Sequence, residues 1–146
     1  MKIILEIIGN KCIYLPFCTW VVIQLFKFFT DFAKNKKINF KRLIGAGGMP
    51  SSHSAVVCCL AVTVGKTRGF DSPEVAIATI LALVTMYDAA GVRRAAGKQA
   101  RLLNKIIETP GLSTLQVQER LVEVLGHTPV QVFVGAVIGI LVGVIL

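Results

Sequence analysis

The stretch SPEVAIATILALVTMY, from Ser72 to Tyr87, decides the fold of this chain. Serine is a favoured N-cap residue and proline is favoured at the first position of a helix, so Ser72 and Pro73 predict a helix start. The residues that follow are predominantly apolar, with Glu74 as the one charged side chain. This composition is typical of a membrane span, which requires roughly 20 residues. We therefore predict a transmembrane helix from Pro73 to about Tyr87.

Three further apolar stretches predict an all-α, polytopic membrane protein with about four transmembrane helices and short interfacial helices. They run over Cys12–Phe29, from the Ser51–Ser54 cluster through Val56–Val64, and over Pro129–Leu146. The composition agrees, because 54% of the 146 residues are hydrophobic and the mean hydropathy is +0.70. This length corresponds to one domain, so we predict a single integral membrane domain over residues 1–146.

The net charge of +8 is concentrated in two loops between the apolar stretches. Asp31–Pro50 and Asp88–Thr128 carry most of the basic residues, whereas the Gly65–Ser72 connection has only Lys66 and Arg68. The positive-inside rule then places both basic loops in the cytoplasm and both termini outside, in a multi-pass protein of the cell membrane. Basic residues that alternate with membrane-like stretches argue against nucleic-acid binding. The four cysteines lack the spacing of a metal site, so no metal or other cofactor is predicted.

A helix that lies along the membrane surface is predicted over Ala89–Glu108. Its basic residues recur at helical spacing and form one stripe, namely Arg94, Lys98, Arg101 and Lys105. Its apolar side is formed by Leu102, Leu103, Ile106 and Ile107. Such a helix suits an interface that bears anionic lipid, and a solvated charged face explains the stripe equally well. Shorter helices are expected over Ile3–Ile8 and Gln116–Leu125.

Glycines at four-residue spacing line one side of the last apolar stretch, at Gly135, Gly139 and Gly143. A smooth glycine stripe lets a second helix approach closely. The sequence leaves open whether that helix belongs to the same chain or to a second copy in a homodimer.

Two histidines mark the starts of apolar stretches, each within a polar cluster. His53 lies in GGMPSSHS, residues 47–54, and His127 lies in GHTPVQ, residues 126–131. A helix that starts there presents unpaired backbone N–H groups and the positive end of its dipole, which favour an anion. The predicted topology brings both clusters to the cytoplasmic face. Because a neutral imidazole can attack phosphorus and a protonated one can donate to the leaving oxygen, we predict phosphate chemistry on a lipid.

Further polar residues complete the predicted site. Gln131 and Glu123 lie four residues to either side of His127 and are candidates for holding its ring. Thr128 is the predicted N-cap of the last helix. Asp88 ends an apolar stretch, where a carboxylate is a functional candidate, although an ion pair with a neighbouring arginine explains it equally well. Basic side chains suit phosphate, and the candidates are Arg93, Arg94, Lys41, Arg42 and Arg120.

These motifs resemble those of the type 2 phosphatidic acid phosphatases, which share an active site with the vanadium haloperoxidases. PSSH at residues 50–53 resembles the family's Pro-Ser-Gly-His motif, and HTPVQVFVG at residues 127–135 resembles its His-x3-Asp-Val-x2-Gly segment. The pattern is closer still to a divergent bacterial and plastid branch, through GGMPSSHSA at residues 47–55, DAAGVRR at residues 88–94 and GHTP at residues 126–129. The resemblance covers about Phe40 to the C-terminus.

The resemblance implies hydrolysis of a lipid phosphate monoester or diphosphate without a metal. It implies that His127 is the nucleophile, which forms a phosphohistidine, and that His53 is the acid for the leaving alcohol. It also implies that Ser51, Ser52 and their backbone N–H groups hold the phosphate while basic residues neutralise its charge. The implied substrates are phosphatidate, phosphatidylglycerol phosphate or a polyprenyl phosphate, and the sequence does not choose among them.

The chain departs from the family pattern at several positions. Gln131 replaces the aspartate that orients the nucleophile, so it can accept a hydrogen bond but cannot stabilise an imidazolium electrostatically. Ser52 replaces a glycine, which removes some backbone freedom. Arg120 lies one residue further from His127 than the family's Arg-x5-His spacing, and Lys41-Arg42 is a loose substitute for its Lys-x6-Arg-Pro motif.

Two alternatives to a phosphatase follow. In the first, a non-catalytic membrane protein binds anionic lipid headgroups, or a partner, through the same basic face. In the second, His53, His127 and Asp88 bind a metal ion with Glu123 nearby, although their spacing gives this little support. Turnover and its sensitivity to chelator distinguish the three hypotheses.

Overall fold

The computed structural model describes residues 2–36, 48–108, 121 and 126–146. Within these ranges it contains six α-helices and no β-strand, which confirms the all-α prediction. The helices are α1 Lys2–Gly9, α2 Lys11–Asn35, α3 Ser52–Arg68, α4 Pro73–Ala90, α5 Val92–Ile107 and α6 Pro129–Ile145. The helix predicted over Gln116–Leu125 lies outside the described residues, apart from Leu121.

The first long helix extends further than the sequence predicts. The Asn10 side chain accepts a hydrogen bond from the Cys12 N–H at 2.9 Å and caps the start of α2. The helix then continues past the predicted end at Phe29 to Asn35. Lys27 therefore lies in the interior of this helix, with two further turns after it, and not near its end.

The other helix starts follow the predicted caps. The Ser72 hydroxyl accepts from the Val75 N–H at 3.4 Å, and α4 begins at Pro73 as predicted. This helix runs on to Ala90, so Asp88 lies in its last turn. Gly91 separates α4 from α5, which places the start of the predicted surface helix at Val92, three residues later than the predicted Ala89.

The centre of the bundle is α3, which packs against α2, α4 and α6. The glycine stripe of α6 makes the closest of these approaches. A Cβ at Gly135 or Gly139 would overlap the backbone carbonyl of Ser51 or Ala55, and a Cβ at Gly143 would lie 2.8 Å from the Cβ of Val62. The helix on the stripe is thus α3 of the same chain. A homodimer along these glycines would require α3 to leave this surface.

In α4 and α6, small side chains predominate inside the bundle and large apolar ones lie mostly outside. In α4 the buried residues are Ala78, Ala82 and Ala89, while Ile77 on the outer face is 70% exposed. In α6 the buried residues are Val132 and the three glycines. This arrangement reverses that of a soluble protein and suits helices whose outer surface contacts lipid.

Two helical segments are long and apolar enough to cross a membrane. One is Lys11–Ala33 within α2, and the other is Pro73–Ile107, which includes α4 and α5. The helices α3 and α6 each have 17 residues, which is shorter than the 18 residues taken here as the minimum for a span. Length and composition therefore support two spans among the described residues, where the sequence predicts about four.

A single asparagine holds Leu121 against α5. The buried Asn104 side chain donates from Nδ2 to the Leu121 carbonyl at 2.9 Å and accepts from the Leu121 N–H at 3.1 Å. Because an amide side chain offers one donor and one acceptor in a plane, it pairs with this backbone as a neighbouring strand would. The contact fixes one point of the connection between α5 and α6.

Candidate active site

The structure brings His53 and His127 together from positions 74 residues apart in the chain. Their ring centroids are 6.4 Å apart, with 59° between the ring planes. His53 lies in the first turn of α3, and His127 lies two residues before the start of α6. A phosphoryl group is small enough to contact both rings at this separation, which is the arrangement that a nucleophile and a general acid require.

Backbone contacts fix the position of His127. Its N–H donates to the carbonyl of Ala89 in the last turn of α4 at 2.9 Å. The preceding Gly126 has a φ of +84°, and its α-carbon lies against the backbone of Arg93 and Arg94. A side chain at Gly126 would overlap that backbone, so only glycine fits this turn. The buried nucleophile candidate is thus held by the junction between α4 and α5.

The side-chain oxygen of Gln131 lies beside the ring of His127. Thr128 caps α6, and its N–H donates to Gln131 Oε1 at 3.0 Å in a capping box. The same oxygen lies 3.3 Å from His127 Nδ1. Because a carbonyl oxygen only accepts, this contact favours a neutral ring that carries its proton on Nδ1.

Burial lowers the pKa of His127 below its ordinary value of 6.5. The positive charge of Lys27 and the neighbouring His53 lower this pKa further, while hydrogen bonds to Gln131 and to the Gly48 backbone oppose the shift. The side chain is 4% exposed, so loss of hydration is the main cause. The ring is therefore neutral near pH 7, as a nucleophile requires.

Ser51 connects the two helix starts. Its N–H donates to the Gln131 carbonyl at 3.1 Å, and its hydroxyl accepts from the N–H and the hydroxyl of Ser54 at 3.3 and 3.0 Å. The residue is fully buried. Its amide and hydroxyl, which the family resemblance assigns to phosphate binding, are engaged within the protein in this structure. The first amides of α3, at Ser52 and His53, are the N–H groups for which an α-helix has no internal partner.

Lys27 is a cation at this site that was not predicted from the sequence. The residue is 6% exposed, and its ammonium group donates to the Ser52 hydroxyl at 3.2 Å. Its charge also acts on both histidine rings. An ionisable residue inside an apolar helix is a functional candidate by default, and this signal is present in the sequence. It was missed because the predicted helix ended at Phe29, which placed Lys27 near the membrane boundary.

Asp88 and Arg93 form an ion pair at the end of α4. Both charges act electrostatically on His53. The pair agrees with the alternative explanation of Asp88, and it also holds a guanidinium near His53. Arg94 is exposed on α5. Lys41, Arg42, Arg120 and Glu123, which were also predicted to contribute, lie outside the described residues.

No group of three or more His, Cys, Asp or Glu side chains in the described ranges is arranged to hold a metal ion. Among the proposed metal ligands, Asp88 is paired with Arg93 and Glu123 lies outside those ranges. The four cysteines are free thiols.

Comparison with known proteins bears on the family resemblance and on the location of the chain. The model of the Divergent PAP2 family matches residues 8–142, a longer stretch than the resemblance from Phe40 onward. The chain is 35% identical over 153 aligned positions to the uncharacterized membrane protein YuiD of Bacillus subtilis (strain 168), with 97% of each chain covered. No solved structure matches with significance. The family match confirms the recognised branch, and the relative together with the apolar helices supports a membrane location.

Proposed function

Because the chain belongs to the Divergent PAP2 family, we propose that it is a lipid phosphatase that hydrolyses a phosphomonoester or diphosphate through a histidine nucleophile. The observation that carries this proposal is the pairing of His53 with the buried, neutral His127 at 6.4 Å between ring centroids. A structural histidine needs no second imidazole facing it, whereas phosphoryl transfer through a histidine uses one ring as nucleophile and another as acid.

The proposed reaction proceeds in two steps. The lone pair of His127 Nε2 attacks phosphorus, the bond from phosphorus to the ester oxygen breaks, and protonated His53 gives its proton to the leaving alcohol. Water then attacks the phosphohistidine, with neutral His53 accepting its proton, and inorganic phosphate leaves. Gln131 keeps the Nδ1 proton in place throughout, because its oxygen also binds the Thr128 N–H.

Phosphate binding is assigned to groups that surround the two rings. Lys27 supplies a buried positive charge, which acts more strongly where water is excluded. Ser52, which accepts from Lys27, and the first amides of α3 offer donors at the positive end of the helix dipole. Arg93 contributes a second cation beside His53. Charge on the phosphoryl oxygens in the transition state is thereby stabilised by groups already in position.

We place α2, α3, α4 and α6 across the membrane, with the site at the cytoplasmic face and both termini outside. The 17-residue helices α3 and α6 are each about 26 Å long, close to the thickness of a bilayer core. The outward-facing large side chains of α4 and α6 support this placement. The basic segments around Asp31–Pro50 and Asp88–Thr128 give the orientation.

Phosphate release by purified protein in detergent, with long-chain phosphatidate and a chelator, tests the proposal. Wild-type protein is expected to release phosphate, and His127→Ala to lose at least about 1000-fold because the nucleophile is gone. Arg68→Ala, at the other end of α3, is the matched control and should retain activity. Wild-type activity that persists in His127→Ala would reject the mechanism.

The shape of α5 favours a second candidate function, binding of anionic lipid headgroups without turnover. This helix has three faces: a small, buried face with Gly97, Ala100 and Asn104, an exposed apolar face and an exposed basic face. The apolar face consists of Val92, Leu102, Leu103 and Ile106, and the basic face of Arg94, Lys98, Arg101 and Lys105. Such a helix fits the surface of an anionic membrane.

Binding of a phosphatidylglycerol headgroup by detergent-solubilised protein distinguishes the two functions. The second function predicts no turnover by wild-type protein, and binding that is lost in Arg94→Gln/Lys98→Gln but retained in His53→Ala/His127→Ala. Turnover that is lost in the histidine variants supports the phosphatase.

A further inference from the structure

An apolar groove lies between α2 and α6, directly beside the candidate active site. Its volume is about 500 Å³. Its lining consists of Val22, Ile23, Phe26 and Thr30 of α2, Val134 and Ile138 of α6, and Met49 and Pro50 before α3. The two wall helices make few contacts with each other, because α3 lies between them on the inner side.

The lining of the groove adjoins, along the chain, the groups assigned to phosphate binding. Pro50 is followed directly by Ser51, whose N–H binds the carbonyl of Gln131. On α2, Lys27 lies one residue after Phe26 and three before Thr30, so the same helix provides both the groove wall and the buried ammonium. A molecule bound at both places would have its anionic group at the histidines and its remainder in the groove.

The groove offers that remainder an apolar surface. Seven of its eight residues have no side-chain hydrogen-bonding group, and the Thr30 hydroxyl donates to the Lys27 carbonyl at 2.9 Å. Val22 and Phe26 are exposed on the outer side, where the helices face lipid in the proposed topology. A polar or charged leaving group would lose hydration here without a partner, whereas a hydrocarbon chain would not.

We propose that this groove binds the hydrocarbon chain next to the phosphate of the lipid substrate and so selects membrane lipid phosphates over water-soluble phosphate esters. The inference rests on the proposed phosphatase function. Lipid tails are as apolar as the groove, so moving the chain from the bilayer into the groove gains little hydrophobic free energy. The groove instead orients the chain and aligns the phosphate ester with His127. The chain reaches the groove sideways from the bilayer, between α2 and α6.

Filling the groove tests this assignment. Val134→Phe puts a larger side chain into the groove wall, and Val137→Phe, on the exposed side of the same helix, is the matched control. Activity is measured in detergent on long-chain phosphatidate and on dibutyryl phosphatidate, whose chains are too short to fill the groove. Val134→Phe is expected to lower kcat/KM for the long-chain substrate by at least about tenfold relative to the short-chain substrate. Val137→Phe should leave this ratio unchanged.

A second variant, on the opposite wall of the groove, distinguishes a filled groove from a folding defect in Val134→Phe. Val22→Phe narrows the groove from α2, at a residue that is already 64% exposed, and is expected to change the ratio in the same direction. Equal effects on both substrates in both groove variants, or a changed ratio in Val137→Phe, would overturn the groove assignment while leaving the phosphatase intact. If wild-type protein hydrolyses neither substrate, the proposed function fails and this inference fails with it.

Discussion

The two ends of α3 differ in the burial of their polar side chains. At the histidine end, defined by Ser51, Ser52 and His53, polar groups are mostly buried and converge with Lys27 and His127. At the opposite end, defined by Lys66, Thr67 and Arg68 and here called the Arg68 end, polar side chains are exposed. The same helix thus carries two polar clusters with different environments.

The Arg68 end uses its polar groups to terminate helices. Lys66 donates to the Val144 carbonyl in the last turn of α6 at 2.9 Å, which suits a cation near a helix C-terminus. Arg68 lies 3.8 Å from Glu74, with 68% and 52% of the two side chains exposed. An exposed pair of this kind contributes about 0–1 kcal/mol to stability. Nothing at this end requires a ligand to explain it.

Burial of polar groups distinguishes the histidine end from the Arg68 end. The buried ammonium of Lys27 and the buried imidazole of His127 each lose hydration, and the positive charge of Lys27 favours the neutral form of the ring. An apolar pair would fill the same space at lower cost in free energy. The buried ammonium that acts on both imidazoles supports the proposed phosphate site at this end.

The largest expected difference between the two ends concerns their lysines. Lys27→Met should lower kcat/KM for long-chain phosphatidate by about 100-fold, the effect of removing one donor to transition-state charge. Methionine keeps the length of the side chain and is accepted in apolar surroundings, so the fold should persist. Lys66→Met is the matched control and should stay within about twofold of wild type.

Equal activities of Lys27→Met and Lys66→Met would contradict the assignment of the buried ammonium to the site. Thermal unfolding of both variants in the same detergent shows whether any loss of activity comes from the fold.

The glycine stripe allows each end to be perturbed separately. Gly135→Ala places a Cβ against the Ser51 carbonyl at the histidine end, whereas Gly143→Ala places one against Val62, nearer the Arg68 end. Both should destabilise the protein by about 1–3 kcal/mol, the usual cost of overpacking. Only Gly135→Ala should also lower kcat, because it displaces the start of α3. Thermal unfolding and activity well below the melting temperature separate the two effects.

A kcat that falls equally in Gly135→Ala and Gly143→Ala would show that activity depends on bundle stability alone. In that case Ser51 would have no special part in placing the site.

A smaller effect is expected for the pH dependence of the reaction. The nucleophile must be neutral, and burial lowers the pKa of His127, so the acid limb of kcat/KM should lie below pH 6.5. In Gln131→Asp a carboxylate faces Nδ1 and favours the protonated ring. The acid limb should therefore move to higher pH, by about one unit. Gln131→Asn, which adds no charge, is the control. If the acid limb of the Gln131→Asp profile does not move, the limb does not report the pKa of His127.

Local features of the fold could be predicted from the sequence because they depend on residues within one turn. Ser72 and Thr128 cap their helices, each followed by proline at the first helical position, as the sequence indicates. The starts of α4 and α6 were therefore correct. The end of α2 was not, because apolar character fades gradually from Phe29 to Asn35 and no proline or glycine stops the helix before the left-handed Lys36.

The candidate site could be predicted only in part for the same reason. His53, His127 and Gln131 each belong to a short motif, so the sequence identifies them. The contact of Lys27 with Ser52 joins residues 25 apart in the chain, and no local sequence pattern predicts it.

The sequence by itself determined the helices, their caps, the basic segments and the motifs that mark the family, since these follow from neighbouring side chains and from composition. Only the tertiary structure decided that α3 fills the glycine stripe of α6 and that the two imidazoles lie 6.4 Å apart, within reach of the charge of Lys27. The physical reason is that helix formation is governed by contacts three and four residues apart, whereas helix pairing depends on the shapes of surfaces that are remote in the chain.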